Sequence, residues 1–148
     1  MNKILNIVFL LVPFFFFAQN ANETFEQHPV FPNCEGKSNK ELEQCFNAEL
    51  QKVVYGTFQV PENLKEANFK GIVTVLFEVN QEGKFIVQYV DAIHSELVAE
   101  SKRVFGQMPK ISPATYNGNP TYAKYTIKIA IPLQSVAEMQ AQKEAEKV

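Results

Sequence analysis

The chain contains few of the residues that catalytic and cofactor-binding sites require. It has only two histidines, His28 and His94, and its six glycines are dispersed. It therefore has no Gly-rich phosphate loop, and it has no G-x-S-x-G nucleophile motif. We expect neither an enzyme nor a protein that holds a cofactor, a metal or a small-molecule substrate. We interpret His28 as part of a polar leader and His94 as a loop or helix-cap residue.

The chain also lacks an excess of positive charge. Its net charge is −2 at pH 7, the charges are scattered, and no basic patch is interleaved with aromatic residues. Proteins that bind nucleic acid or anionic membranes carry such patches. The sequence therefore argues against both kinds of partner.

No apolar run is long enough to cross a bilayer. The segment Ile4–Phe17 follows Lys3 and covers about 14 residues, fewer than the ~20 that a spanning helix needs. Ala18–Gln19 has the small residue expected before a cleavage site. We therefore predict that residues 1–18 are a signal peptide and that the mature protein is periplasmic or secreted. A short uncleaved anchor in the inner membrane is the alternative.

The remaining chain is long enough for one domain. Residues 19–29 are polar without a period and predict a flexible leader. Residues 30–133 carry the periodic segments, and most of the 13 phenylalanines of the full chain can fill their core. Residues 134–148 predict a polar tail with helical composition.

Cys34 and Cys45 are the only cysteines. In an exported protein an even number of cysteines indicates a disulfide. Ser38 and Glu41 form a capping-box pattern that would begin a helix at Asn39, which places Cys45 roughly 10 Å along the helix axis. We therefore predict a Cys34–Cys45 disulfide, with two buried free thiols as the alternative. The spacing is poor for a metal site.

Apolar residues at helical spacing predict two main helices. The first runs from Asn39 to about Tyr55 and ends at Gly56. The second has Ser95 as its N-cap and is stopped by Pro109. The buried stripes are Leu42, Cys45, Phe46, Leu50, Val53 and Val54 in the first helix, and Leu97, Ser101, Val104, Phe105 and Met108 in the second.

Alternating apolar residues predict three strands, Ile72–Val79, Phe85–Asp91 and Tyr122–Ile131. A short helical segment with Pro61 at its first position precedes them, and Ile111–Thr121 reads as a loop. The first strand has apolar residues on both faces, which predicts either neighbours on both sides or helices over one face and a partly covered second face. We therefore expect an α+β fold, with a three-stranded antiparallel sheet and both main helices on one face.

The order and spacing of several short motifs carry a family resemblance. Residues 30–133 resemble the C-terminal domain of TonB-type energy transducers, in the version found in the Bacteroidota. The motifs are Val30–Gly36 with Cys45–Phe46, Val60–Pro61, Gly71, Glu82–Gly83–Lys84, Met108–Pro113 and Asn117–Pro120. We find no long Pro/Lys/Glu-rich linker of the kind that transducers carry, so we expect a free module that does not itself transmit force.

The resemblance implies that an edge of the sheet binds an extended segment, the TonB box of an outer-membrane receptor, by β-strand addition. Carried onto this chain, the last strand is the binding edge. Its lysines would equally suit a solvent-exposed edge, where charged side chains prevent pairing with a second copy of the strand. The edge residues are Tyr122, Lys124, Thr126 and Lys128, and the adjacent turn is Asn117, Gly118, Asn119 and Pro120.

The sequence therefore predicts a periplasmic protein-binding module linked to TonB-dependent outer-membrane transport. The alternative is an exported structural module of the same fold that has no receptor partner and forms a homodimer through its edge strands.

Overall fold

The computed structural model describes residues 26–134 and three positions of the tail, Glu138, Ala141 and Ala145. The predicted signal peptide lies outside the described residues, as do residues 19–25 of the predicted leader. Among the residues described, no helix has the length and apolarity to cross a membrane. The three described tail positions are helical and exposed.

The fold is α+β, as the sequence predicted, with a three-stranded antiparallel sheet and two main helices on one face. Within the described part of the chain, a 3-10 turn (Pro32–Cys34) precedes the regular elements. These are α1 (Asn39–Thr57), α2 (Glu62–Glu66), β1 (Gly71–Val79), β2 (Phe85–Asp91), α3 (Ser95–Gly106), β3 (Ala114–Tyr116), β4 (Asn119–Thr121) and β5 (Ala123–Ile131).

Helix α1 begins at the predicted capping box. The Glu41 carboxylate accepts hydrogen bonds from the Ser38 backbone N–H at 2.9 Å and from the Ser38 hydroxyl at 2.5 Å. A carboxylate at this position satisfies an N–H group that the helix itself leaves unpaired. The helix continues through Gly56 and ends at Thr57, two residues later than predicted. Its buried residues are Leu42, Phe46, Leu50 and Val54.

Strand β1 lies at the centre of the sheet, paired with β2 on one side and β5 on the other. This confirms the first of the two arrangements predicted for it, with a neighbouring strand on each side. A register shift between Leu76 and Phe77 leaves Gln88 of β2 without a partner. This β-bulge explains why the sequence of β2 alternates less cleanly than that of β5, because one extra residue changes the side on which the next side chain falls.

The core lies between the helices and the inner face of the sheet, and aromatic rings fill its centre. Phe77 of β1 packs against Phe105 of α3, with ring centroids 4.8 Å apart, and Phe46 of α1 packs against Tyr125 of β5 at 4.6 Å. Phe46 also stacks on Phe85 of β2 at 6.4 Å. Rings from both helices therefore hold all three strands.

A disulfide joins Cys34 to Cys45, whose Cα atoms lie 5.9 Å apart. It ties the 3-10 turn to the second turn of α1. Cys34 is fully buried in the core. The bond therefore fixes the start of the domain against the helix that covers the sheet.

The structure corrects two predicted helix starts by one residue each. Helix α3 begins at Ser95, so that His94 and not Ser95 is the N-cap. Pro61 is the N-cap of α2 and not its first helical residue. In both cases the predicted residue type lies within one position of the boundary, which is the usual uncertainty at helix ends.

The segment predicted as a loop, Ile111–Thr121, instead contains the hairpin formed by β3 and β4. Asn117 and Gly118 form its tip with φ values of 49° and 72°, the left-handed pair that a type I′ hairpin turn requires. The predicted turn is therefore only two residues long. Asn119 and Pro120, which were assigned to it, belong to strand β4.

The end of the predicted leader packs on this hairpin. Gln27 forms an isolated bridge with Thr115, and Val30 forms one with Ser112. His28 is buried, and its backbone N–H donates to the side-chain oxygen of Asn39 at 3.0 Å. Residues 26–29 are therefore part of the domain, and His28 does not lie in a flexible leader.

Candidate edge-strand site

The predicted binding strand lies at an edge of the described sheet, because β5 pairs with β1 and with no other strand. Its inward residues alternate regularly, as predicted, and Ala123, Ile127, Ile129 and Ile131 are buried. The residues between them point to the outer face. Lys124, Thr126 and Lys128 are all exposed there, and Tyr122 is exposed just before the strand begins.

Tyr55 of α1 shows which backbone groups of β5 face away from β1. Its hydroxyl donates to the Lys128 carbonyl oxygen at 3.1 Å and accepts from the Ala130 N–H at 3.3 Å. Because Tyr55 is not part of the sheet, these two groups point to the free edge. Backbone groups alternate sides along a strand, so those of Lys124 and Thr126 point to the free edge too. The residues predicted from sequence thus share both the outer face and the free edge.

The edge is not open along its whole length. The contacts of Phe46 with Tyr125 and of Tyr55 with Lys128 show that α1 runs alongside β5 in the same direction. At the end of α1, Tyr55 reaches over the edge and occupies two of its backbone groups. The N–H groups of Lys124 and Thr126 have no such cover from the described residues.

The two lysines of the edge form no ion pair within 4.0 Å among the described side chains. Lys124 lies opposite Glu78 in the register of β1 and β5, and Lys128 lies opposite Thr74. The Lys124 ammonium also stands 5.7 Å from the ring centre of Tyr122, close enough for a weak cation–π attraction. Two exposed cations thus flank the open backbone groups.

The outer face of the sheet continues the edge as an apolar surface. Ile72 and Tyr89 are both 62% exposed, and Leu76 and Ile86 are 36% and 40% exposed. The registers put Leu76 between Tyr89 on one side and Thr126 on the other. The described residues that carry the edge and those that carry the exposed apolar face are therefore contiguous.

A polar contact lies beneath the edge. The Tyr125 ring points inward, and its hydroxyl shares a hydrogen bond with Nδ1 of His28 at 3.3 Å. Burial, and to a smaller degree the negative charge of Glu43, raise the pKa of Tyr125. The phenol is thus neutral at physiological pH. It ties residues 26–29 to the inner side of β5.

The predicted turn does not lie on β5 itself. Asn117 and Gly118 form the exposed tip of the hairpin, and Asn119 bridges it by donating from its side-chain amide to the Asn117 carbonyl at 3.1 Å. Strand β4 and Tyr122 separate this tip from β5. The turn therefore precedes the edge strand in the sequence and is not itself part of the edge.

A groove of about 1150 Å³ lies between α2, the first turns of α3 and the residues at the end of β5. Its most buried charged pair is satisfied internally. Arg103 donates to Glu100 at 2.6 Å and to the Thr57 carbonyl at 2.8 Å, and Glu100 accepts from the Gln59 N–H at 2.6 Å. The hydrogen bond from Arg103 lowers the pKa of Glu100. This pair joins α3 to the end of α1 and so has a structural role.

Within the part of the chain that the structure describes, no group of three or more His, Cys, Asp or Glu side chains is placed to hold a metal ion. Both described cysteines are in the disulfide. No protein-family model matches the chain, and no curated protein matches it at a significant level.

Sequence reasoning missed Tyr55 as part of the edge. It lies 73 residues before Lys128 in the chain, at the end of a helix whose predicted apolar stripe does not include it. The regular alternation of β5 could identify the residues that share its outer face, and the family resemblance pointed to this strand as the edge. It carried no signal for the side chain that covers one end of that edge.

Proposed function

We propose that this protein is a periplasmic protein-binding module that resembles the TonB C-terminal domain and takes an extended segment of an outer-membrane receptor as a strand added to β5. The observation that supports this proposal is the open half of the β5 edge. There the backbone groups of Lys124 and Thr126 face away from β1 and have no cover from the described residues.

Backbone hydrogen bonds supply the affinity in this mode of binding, and alternate side chains supply the register. The exposed ammonium groups of Lys124 and Lys128 favour acidic side chains at the facing positions of the added strand, because opposite charges across a strand pair attract. The proposed role in transport follows from the resemblance alone, and the proposed periplasmic location rests on the predicted signal peptide together with that resemblance.

The test removes one edge donor. Thr126→Pro deletes an N–H that points to the free edge, and proline is tolerated at the edges of sheets. We expect the wild-type chain to bind a synthetic TonB box peptide from a receptor of the same cell, and Thr126→Pro to lose at least tenfold in affinity by isothermal titration calorimetry. Thr126→Ala keeps the N–H and is the matched control, so its affinity should stay within about twofold.

Circular dichroism melts of both variants separate lost binding from lost folding. If Thr126→Pro folds and binds the peptide as well as Thr126→Ala does, the added strand does not pair with this edge, and the proposal is wrong.

The second candidate is a self-associating module without a receptor partner. The same exposed edge favours it, since unpaired strand edges also pair with a second copy. Sedimentation velocity decides between the two. If the protein is a self-associating module, the wild type should be a dimer, Thr126→Pro should be a monomer, and no receptor peptide should bind. The leading proposal instead expects a wild-type monomer that binds the peptide.

A further inference from the structure

The hydroxyl of Tyr55 divides the free edge of β5 into two parts. On one side of it lie the N–H and C=O groups of Lys124 and Thr126 together with the N–H of Lys128. On the other side, the Lys128 carbonyl and the Ala130 N–H are already bonded to Tyr55 at 3.1 Å and 3.3 Å. A strand that added along the whole edge would have to break both of these bonds.

We propose that Tyr55 sets the point on β5 beyond which an added strand cannot pair, which we call the stop of the strand-addition site. Tyr55 thereby selects a short extended segment as the partner. This inference rests on the proposed function. An antiparallel partner can form complete hydrogen-bonded pairs with only two residues, Lys124 and Thr126. Beyond Lys128 the partner meets the Tyr55 ring and the end of α1, and it must turn away from the sheet.

Pairing a strand beyond Lys128 costs free energy because the two hydrogen bonds of Tyr55 would be lost. Tyr55 satisfies one donor and one acceptor, and an added strand gains nothing by exchanging these bonds for its own. It must also displace a half-buried ring that packs on the core cluster. Strand addition therefore ends where the tyrosine begins, and further residues on that side of the peptide contribute no affinity.

The other end of the site has a different boundary. Upstream of Lys124 the chain passes through Tyr122 into β4, which is paired with β3. The main sheet thus ends there, and the open stretch of edge runs from about Tyr122 to Lys128. At ~3.3 Å per residue this stretch accommodates an extended segment of roughly five to seven residues.

The first test is amide hydrogen exchange by NMR on the full chain. In the free protein we expect the Ala130 amide to exchange slowly and the Thr126 amide to exchange fast. Tyr55→Phe keeps the ring and removes the hydroxyl, so Ala130 should exchange at least tenfold faster. Tyr89→Phe removes an exposed hydroxyl on the outer face and is the matched control, which should leave Ala130 unchanged.

The second test uses TonB box peptides of a receptor from the same cell, each extended by two residues at one end or the other. We expect the peptides to protect Lys124 and Thr126, and extension toward Tyr55 to change the wild-type dissociation constant by less than twofold. In Tyr55→Ala the same extension should improve affinity at least threefold.

The outcomes separate this inference from the proposed function. If extension toward Tyr55 strengthens wild-type binding threefold or more, strand addition occurs but Tyr55 is not its stop. The same conclusion follows if Ala130 exchanges at the same rate in wild type and in Tyr55→Phe. If no peptide protects any β5 amide, the proposed function is wrong, and the stop is overturned with it.

Discussion

The two faces of strand β1 both carry large apolar side chains but have opposite environments. On the inner face, Val75 and Phe77 are fully buried beneath the helices, whereas on the outer face Ile72 is 62% exposed. The inner face is wholly apolar, whereas the outer face mixes the apolar Ile72 and Leu76 with the polar Thr74 and Glu78. The two apolar residues of the outer face remain exposed because, among the described residues, the main helices pack against the inner face.

The same contrast continues along β5. Its inward side chains hold the strand in the core, while its outward lysines form no ion pair among the described residues and the backbone groups of Lys124 and Thr126 are open. Under the proposed function, stability and binding would therefore depend on alternate residues of one strand. A substitution at an inward residue should then affect folding and spare the proposed partner site, and a substitution at an outward residue should do the reverse.

The strongest test of this comparison replaces neighbours on the two faces of β1. Phe77→Ala removes a buried ring that packs on Phe105, and we expect it to lower the free energy of unfolding by about 3–5 kcal/mol. Leu76→Ala, the matched control on the outer face, should cost about 1 kcal/mol or less. Urea unfolding followed by circular dichroism measures both. Similar losses for the two variants would mean that something covers the outer face in solution.

The next largest effect concerns the Cys34–Cys45 disulfide, which lies on the side of the sheet that the helices cover. Replacing both Cys34 and Cys45 by alanine releases a loop of eleven residues and should lower the free energy of unfolding by about 3 kcal/mol in the chain-entropy model. Reduced wild type is the control, and its loss should match that of the double variant. If the double variant were as stable as oxidised wild type, the disulfide would not contribute to the free energy of unfolding. The contrast between the covered and the exposed side of the sheet would then rest on packing alone.

The sequence could predict the elements whose pattern is long and regular. Strand β5 alternates over nine residues, and α1 begins at a capping box, so both were found close to their true bounds. The same alternation placed Lys124, Thr126 and Lys128 on one face, whereas the choice of this strand as the binding edge came from the family resemblance. Local patterns such as these depend on the residue's own strand or helix, which a sequence displays directly.

Features that depend on distant partners could not be predicted in the same way. His28 is polar and stands in an aperiodic segment, yet it is buried because Gln27 bonds to Thr115 far along the chain. Strands β3 and β4 have three residues each, too few to show a period, and Pro120 argues against a strand. Tyr55 belongs to this group as well, since its bonds to β5 are made across the fold.

The smallest effect lies at the exposed start of α1, away from both faces of β1. The hydrogen bond from the Ser38 hydroxyl, followed by that from the Ser38 backbone, lowers the pKa of Glu41 below its usual value of 4.5. Glu41 is thus more acidic when folded than when unfolded. Its charged form therefore stabilises the fold above the unfolded-state pKa, and this contribution is lost as the pH falls through the lower, folded-state value.

Glu41→Gln keeps a capping side chain and removes the charge. Wild type should be slightly more stable than this variant at pH 7, and the difference should shrink as the pH falls below about 4.5 and vanish once the folded carboxylate is protonated. Urea midpoints at pH 7, 4.5 and 2.5 measure it, and high salt should reduce it because the site is exposed. Lys40→Gln, at an exposed neighbour that accepts no bond from Ser38, is the control. A difference that grew toward low pH would contradict the lowered pKa and place the origin of the effect elsewhere in the helix.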